Sequence, residues 1–237
     1  MALSGSYDWT LTRAQVIAGA LRKLGVLPSG GTPSTAQTND GAEALNALVK
    51  AFHADGMPVW AITSTTFPVT SGTASYTIGP ALTVNVAAAP LKVLQAFRTP
   101  TGEAEVELNV ENRYDFNGLT STATGVPVTV YYQPVLTAGV ASGIVKLWPA
   151  PDDSTTTITL HYQRPFDDMD AADNNFDFPS YWMQALIYNL AWALAPEYGI
   201  PPTDRGLLQK EALYWKAEAL SYGSEEGSVS FQPNTQG

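Results

Sequence analysis

The chain has 237 residues, 45% of them hydrophobic and 11% aromatic, which is enough to build a core and excludes a disordered tail. It has no cysteine, which excludes disulfides, thiolate zinc sites and thiol nucleophiles and makes the chain indifferent to redox compartment. Lys and Arg number 12 against 22 Asp and Glu, a formal charge of −10 that argues against a phosphate-clamping groove and an anionic membrane surface.

Charged residues make up only 14% of the chain, against roughly 25% in ordinary globular domains. The surface must therefore be rich in Ser, Thr, Asn, Gln or apolar groups, as in a subunit with large interfaces or a Thr-rich β surface. The first residues, Met1 to Trp9, show neither a basic leader nor an apolar h-region, so the expectation is a chain made and kept in the cytoplasm unless a larger assembly carries it out. The most apolar helical stretch, Ala185 to Ala195, contains Asn189 and is stopped by Pro196, short of the roughly 20 residues a membrane span requires.

In chain order, Thr12-Arg13-Ala14-Gln15 has the form of a capping box, and Val16, Ile17, Ala20, Leu21 and Leu24 then make one helical face that Gly25 ends. After a loop from Pro28 to Ser34, Leu45, Leu48, Val49 and Phe52 recur at helical spacing on a second helix closing near Gly56. Between residues 61 and 165 the period changes to two. The runs Thr65–Val69, Ser75–Ile78, Leu91–Arg98, Val126–Gln133, Ile144–Trp148 and Thr155–Tyr162, separated by Gly, Pro, Asn or Asp, predict an antiparallel β-sandwich or barrel, with a single helical turn at Val110–Phe116. Residues 166–177 read as an acidic linker. Helix returns over Tyr181–Ala195, and again after Asp204 with Leu208, Ala212, Trp215, Ala219 and Tyr222 on one face.

Two helices, a β module and two helices predict an α+β fold. Residues 1–60 and 178–222 would form a discontinuous helical bundle, residues 61–165 an inserted β domain, and residues 223–237 an extended tail. The third helix is apolar on most sides, so one face needs a partner, either the inserted domain or a second subunit.

Reactive constellations are scarce. His53 and His161 are the only histidines and sit in no zinc motif, and there is no nucleophile elbow or phosphate loop. The acidic run Asp167 to Asp177 fails as an EF-hand: a start at Asp168 puts Ala172 at position 5, and a start at Asp173 puts Phe178 at position 6 and Gln184 at position 12. It reads as a solvated linker whose last acids favour the next helix N-terminus. Glu43, Glu197, Glu211 and Glu218 show no spacing that selects a glycosidase pair. The expectation is no enzyme, no metal and no cofactor.

The segments Thr12–Ile17, Leu21–Val26, Phe52–Gly56 and Pro58-Val59-Trp60, with Val145–Asp152, Leu160–Pro165, Phe178–Trp182 and Leu190–Gly199, resemble the head-to-tail adaptors of short-tailed bacteriophages, also called head completion or tail tubular protein A-like proteins. The resemblance implies a structural virion protein at the head-tail junction, a homo-oligomeric ring of twelve copies beneath the portal protein. It implies that the ring extends the DNA channel, lets double-stranded DNA pass without specific binding, and supports the downstream tail nozzle protein. Ring closure needs a different patch on each side of every subunit. Trp182, Trp192, Tyr214 and Trp215 are candidates for subunit or portal interfaces, or else for the subunit's own core. Val229 and Phe231 alternate in the tail, which either joins a neighbouring protein such as the portal or remains a free end. The alternatives are a carbohydrate- or host-surface-binding tail module and a peptidoglycan-cleaving tail protein.

Overall fold

The predicted cap at Thr12 forms in the computed structural model, which describes residues 9–52, 59–120, 122–137, 139–168 and 170–222. Thr12 Oγ1 accepts from the Gln15 N–H while Gln15 Oε1 accepts from the Thr12 N–H, opening helix α1 (Arg13–Lys23). Val16, Ile17, Ala20 and Leu21 are its buried face, and Gly25 leaves it at a φ of 73° that disfavours any residue with a Cβ. Helix α2 (Thr35–Phe52) starts well before its apolar period does, because Ser34 and Gln37 make a second reciprocal cap. Leu45, Val49 and Phe52 are buried, while Leu48 is half-buried. The predicted helix end near Gly56 and the side chain of His53 lie outside the described residues.

Residues 60–165 form one compact unit. Its strands are β1 (Ile62–Pro68), β2 (Ser75–Gly79), β3 (Val84–Asn85), β4 (Lys92–Thr99) and β5 (Val106–Val110), then, after the short helix α3 (Arg113–Asn117), β6 (Thr124–Gly125), β7 (Thr129–Thr137), β8 (Val140–Trp148), β9 (Ala150–Pro151) and β10 (Thr157–Gln163). Eight of them make one sheet in the order β1-β10-β4-β5-β7-β8-β2-β3, and β6 pairs with β9 separately. The inward positions alternate as the period predicts: Tyr76 and Ile78, Val145 and Leu147, Ile158, Leu160 and Tyr162 converge on one core with Phe67 of the edge strand. The Phe67 and Tyr76 rings lie 5.2 Å apart, although their strands stand near opposite ends of the order, so the sheet curls until its ends meet.

The expected antiparallel pairing needs correction. β5 and β7 run parallel, as do β2 and β3, and β6 and β9. For β5 and β7 the cause is the crossover between Val110 and Thr129: Asn112 caps α3 by accepting from the Tyr114 and Asp115 N–H groups, and the chain re-enters the sheet in the direction it left. The helical turn expected near Val110 is therefore the device that makes the pairing parallel. Strand β5, with one buried side chain, Leu108, has too little apolar alternation to be seen in sequence.

Residues 1–59 and 166–237 belong to the other compact unit. There a 3₁₀ turn (Ser180–Trp182) leads into α4 (Met183–Leu194), and α5 (Pro202–Tyr222) follows. α4 packs on α1, α2 and α5, the last being its most extensive partner. Met183, Leu186, Leu190 and Leu194 are fully buried, each such side chain contributing about 1.5–3 kcal/mol on removal from water. The buried Asn189 is satisfied: its Nδ2 donates to Ala185 O in its own helix and to Ala212 O in α5.

The acidic segment keeps Asp167, Asp168, Asp170 and Asp173 exposed, as expected from its charges, and its backbone also serves a helix. The Arg13 and Ala14 N–H groups, which the first turn of α1 does not itself satisfy, donate to Asn174 O and Ala172 O. Phe166, Phe176 and Phe178 are buried, with the Phe166 and Phe178 rings 4.6 Å apart. Backbone carbonyls, rather than carboxylates, tie the segment to a helix N-terminus. That helix is α1, at the other end of the chain.

Two glycines give opposite expectations. A Cβ on Gly41 of α2 would fall 2.6 Å from Ile17 Cγ2 of α1, whereas one on Gly206 of α5 meets open space. Gly41→Ala should destabilise by about 1–3 kcal/mol through overpacking, and Gly206→Ala should stabilise by about 0.5–1 kcal/mol through helix propensity. Urea unfolding of the two variants checks both signs.

Candidate assembly surfaces

β7 leaves its parallel neighbour β5 after Val130 and stays paired with β8, and beyond Pro134, where β8 no longer pairs with β2, the two run on as a two-stranded ribbon. Pro134 can sit in this strand because no second neighbour asks it for a hydrogen bond. Near the ribbon tip, Leu136 and Val140 are 74% and 63% exposed. The ribbon forms one wall of a groove of about 670 Å³, and the other wall is the loop Ala87–Leu91. Ser142 is the one side chain in the lining that carries a polar atom.

The two walls are tied by a tyrosine. Tyr132 lies across Gly143, where a Cβ would collide with its ring, and its hydroxyl donates to Pro90 O. Burial pushes the Tyr132 phenol up to about 12, because the phenolate would lose its water. Leu91 continues the loop wall by donating its N–H to Gln163 O of β10. The groove is thus held open by hydrogen bonds behind it, with apolar side chains facing into it.

A second exposed apolar surface lies on the helical unit. Along α5 only Ala212 and Ala219 are fully buried, with Leu208, Trp215 and Leu220 half-buried beside them, and the opposite side of the helix faces out. Leu207, Leu213 and Tyr214 are more than half exposed, and Trp192 of α4 is 37% exposed. Trp215, half-buried, stacks on Tyr188 with centroids 6.4 Å apart and meets Tyr214 edge-on at 5.3 Å. Lys23 Nζ lies 4.8 Å from the Tyr188 centroid, so α1, α4 and α5 are linked through one cation and three rings.

The sequence-derived candidates separate accordingly. Trp192 and Tyr214 are on the surface and Trp215 is at its margin. Trp182, 2% exposed, is core: its ring packs 5.6 Å from Phe52 and 5.5 Å from Phe178, which leaves it no area for a neighbour. Val229 and Phe231 lie outside the described residues. The groove and its ribbon were missed in the sequence because Pro134, Gly139 and Gly143 read as strand breakers; the signal was the apolar alternation running on through Leu136 and Val140.

Ionisable groups form no reaction centre among the described residues, where no set of three or more His, Asp or Glu is close enough to hold a metal ion. His161 sits edge-on to Phe97 at 5.6 Å on the sheet. Asp153 is held below its ordinary range by the Thr155 and Thr156 N–H groups, which close the turn before β10. Asp168 pairs with Lys50 at the surface. Glu103 and Glu105 before β5, Glu107 on it and Asp115 in α3 are all exposed. No helix among the described residues is long and apolar enough to cross a membrane.

These features define a class: a protein whose distinguishing chemistry, among the described residues, lies in exposed apolar surfaces. The chain belongs to the SU10 adaptor protein family, whose model matches residues 11–227. It is thus a bacteriophage structural adaptor, a virion component. No curated protein matches it.

The Tyr132 tie can be read by pH. A phenol whose folded value lies above the ordinary 10 contributes stability that is complete below pH 10 and is lost as pH rises towards 12. Tyr132→Phe should cost about 0.5–1.5 kcal/mol at pH 7 for the lost hydrogen bond and should flatten the fall of the urea midpoint above pH 10. Burial raises Tyr76 and Tyr162 as well, so part of that fall stays in the variant.

Proposed function

We propose that this adaptor is the head-to-tail adaptor of a short-tailed phage. It forms a ring, with twelve copies as the expected number, beneath the portal protein, extends the DNA channel and gives the downstream tail nozzle protein its platform. The family match over residues 11–227 supports the adaptor role. The observation that carries ring assembly is the occurrence of two unlike apolar surfaces, the groove with its ribbon in the β unit and the outer face of α5 in the helical unit. A closed ring is built from heterologous contacts, in which each subunit offers one patch and receives another. In this reading the helical unit is a bundle of the two terminal helix pairs. Its aromatics Trp192, Tyr214 and Trp215 face neighbouring copies or the portal.

The charge supports a conduit. DNA passing through a ring must not stick, and acidic surface offers no counterion release to hold it. The exposed acids Glu103, Glu105, Glu107 and Asp115 are the described groups best suited to line such a lumen.

Mixing the purified chain with the portal ring of its own phage, and weighing the complex by native mass spectrometry, tests the proposal. A discrete gain of many copies per portal ring is expected; no gain with both partners folded would remove the head-to-tail role. The paired variant Leu136→Asp/Val140→Asp should keep its far-ultraviolet spectrum and reduce the copies added at least tenfold. Full addition by that variant would show that the ribbon is not part of the interface.

A further inference from the structure

Strand β1 stands at one end of the sheet order and pairs with β10 alone. The curl that brings Phe67 against Tyr76 therefore joins side chains without closing the ladder. The bonds at either end of the β1·β10 pair show which way the unused backbone groups point. Arg164 N–H donates to Ala61 O and Val69 N–H donates to Thr156 O, so the odd-numbered residues of β1 bond to β10, and Ile62, Ser64 and Thr66 turn their N–H and C=O groups the other way. No group among the described residues bonds to that row. Ser64 and Thr66 are exposed and Ile62 is half-buried.

The other free edges of this unit are blunted. β3, at the far end of the order, has two residues, and β7 carries Pro134 where it has left β5. β1 runs for seven residues in regular register with β10, without a charged side chain, and its one proline, Pro68, is its last residue. Shortness, charge, bulges and proline are the usual protections of an edge strand, and β1 has none of them before Pro68.

We infer that the β1 edge pairs with the β1 edge of a second copy, antiparallel about a two-fold axis at Ser64. The edge is its own complement. With Ser64 opposite Ser64, Ile62 stands opposite Thr66, and each outward N–H and C=O of the row meets a partner, while Pro68, which has no N–H to give, stays outside the pairing. No charges are brought together, and Thr63 stands opposite Thr65, a cross-strand pair that favours association. Between copies, β1 can mate only with β1, since the remaining edges are short or broken by proline, and the antiparallel two-fold arrangement is the one that closes on itself. The contact is separate from the groove of the β unit and from the α5 face. It describes the free protein and does not rest on the adaptor reading.

The chain has no cysteine, so a single substitution reports on the pairing. Opposed residues of a hydrogen-bonded antiparallel pair have Cα atoms about 5.5 Å apart, inside the roughly 4.4–6.8 Å that a disulfide bridges. Ser64→Cys in the full-length chain, oxidised mildly without portal, should link two copies at least tenfold faster than Glu103→Cys, whose site is exposed elsewhere in the same unit. Equal rates overturn the proposal. Sedimentation of the parent chain should show monomer and dimer in equilibrium. Thr66→Pro, which removes an N–H that β10 does not use, should weaken the dimer at least tenfold while the far-ultraviolet spectrum is kept. Thr66→Lys sets a charge on the same edge and should weaken it to a similar degree, which keeps the test decisive if the proline variant fails to fold. A parent chain that stays monomeric at high micromolar concentration, or a dimer that Thr66→Lys leaves intact, overturns the proposal. Portal titration reads the adaptor role separately: variants that no longer dimerise and still add to the portal ring leave that role standing.

Discussion

Helix α4 is the element on which the helical unit depends. Its buried residues, Met183, Ala185, Leu186, Ile187, Asn189, Leu190, Ala191 and Leu194, cover more of the helix circumference than a single neighbour can shield. α1, α2 and α5 each take part of that surface. The first two come from the opposite end of the chain, so the whole β unit is spelled out in sequence between the helices and the partner they need. Such closure carries a loop-entropy cost that grows only slowly with length, and one well-packed helix core offsets it. Asn189 adds direction to that core. Its bond to Ala212 O fixes how α5 lies along α4, since an amide left unpaired there would cost about 1–3 kcal/mol.

The seating of α5 on alanines has a second effect. A helix held by Ala212 and Ala219 approaches its partner closely and spends little of its own surface doing so. Larger side chains such as Leu207, Leu213 and Tyr214 are then left for other contacts. The β unit has the same economy. Its core is complete within the curled sheet, and the ribbon beyond Pro134 contributes no side chain to it, yet the ribbon carries the most exposed aliphatic side chains of that unit. Surplus apolar surface in both units, beside a charged fraction of only 14%, is the pattern of a subunit whose folding and assembly use different residues.

Much of this was legible in the sequence, for identifiable reasons. The capping box at Thr12 is a local pattern with a local cause, and the inward alternation of β8 and β10 reflects burial on one face. Parallel pairing of β5 with β7 was not legible, because direction is set by a crossover whose geometry lies in Asn112 and α3, and not by the composition of the strands. The role of the acidic segment was hidden for a related reason. Its charges drew attention, while its working groups are the carbonyls of Ala172 and Asn174, which every residue type possesses. Among the interface candidates, aromatic identity alone could not separate Trp182, locked between Phe52 and Phe178, from Trp192 in the next turns of the same helical run.

The distribution of charge completes the argument. An interface that must form beside passing DNA cannot rely on basic patches, since these would bind the phosphates. It can use apolar grooves and rings, which ignore DNA, and keep acids on surfaces that face it. The groove of the β unit is lined without a charged side chain, and Glu103, Glu105, Glu107 and Asp115 are exposed. The fold therefore separates attraction from repulsion by residue type. On the proposed reading, aliphatic and aromatic side chains would hold subunits together and carboxylates would keep a polyanion from adhering, the division of labour a DNA conduit requires.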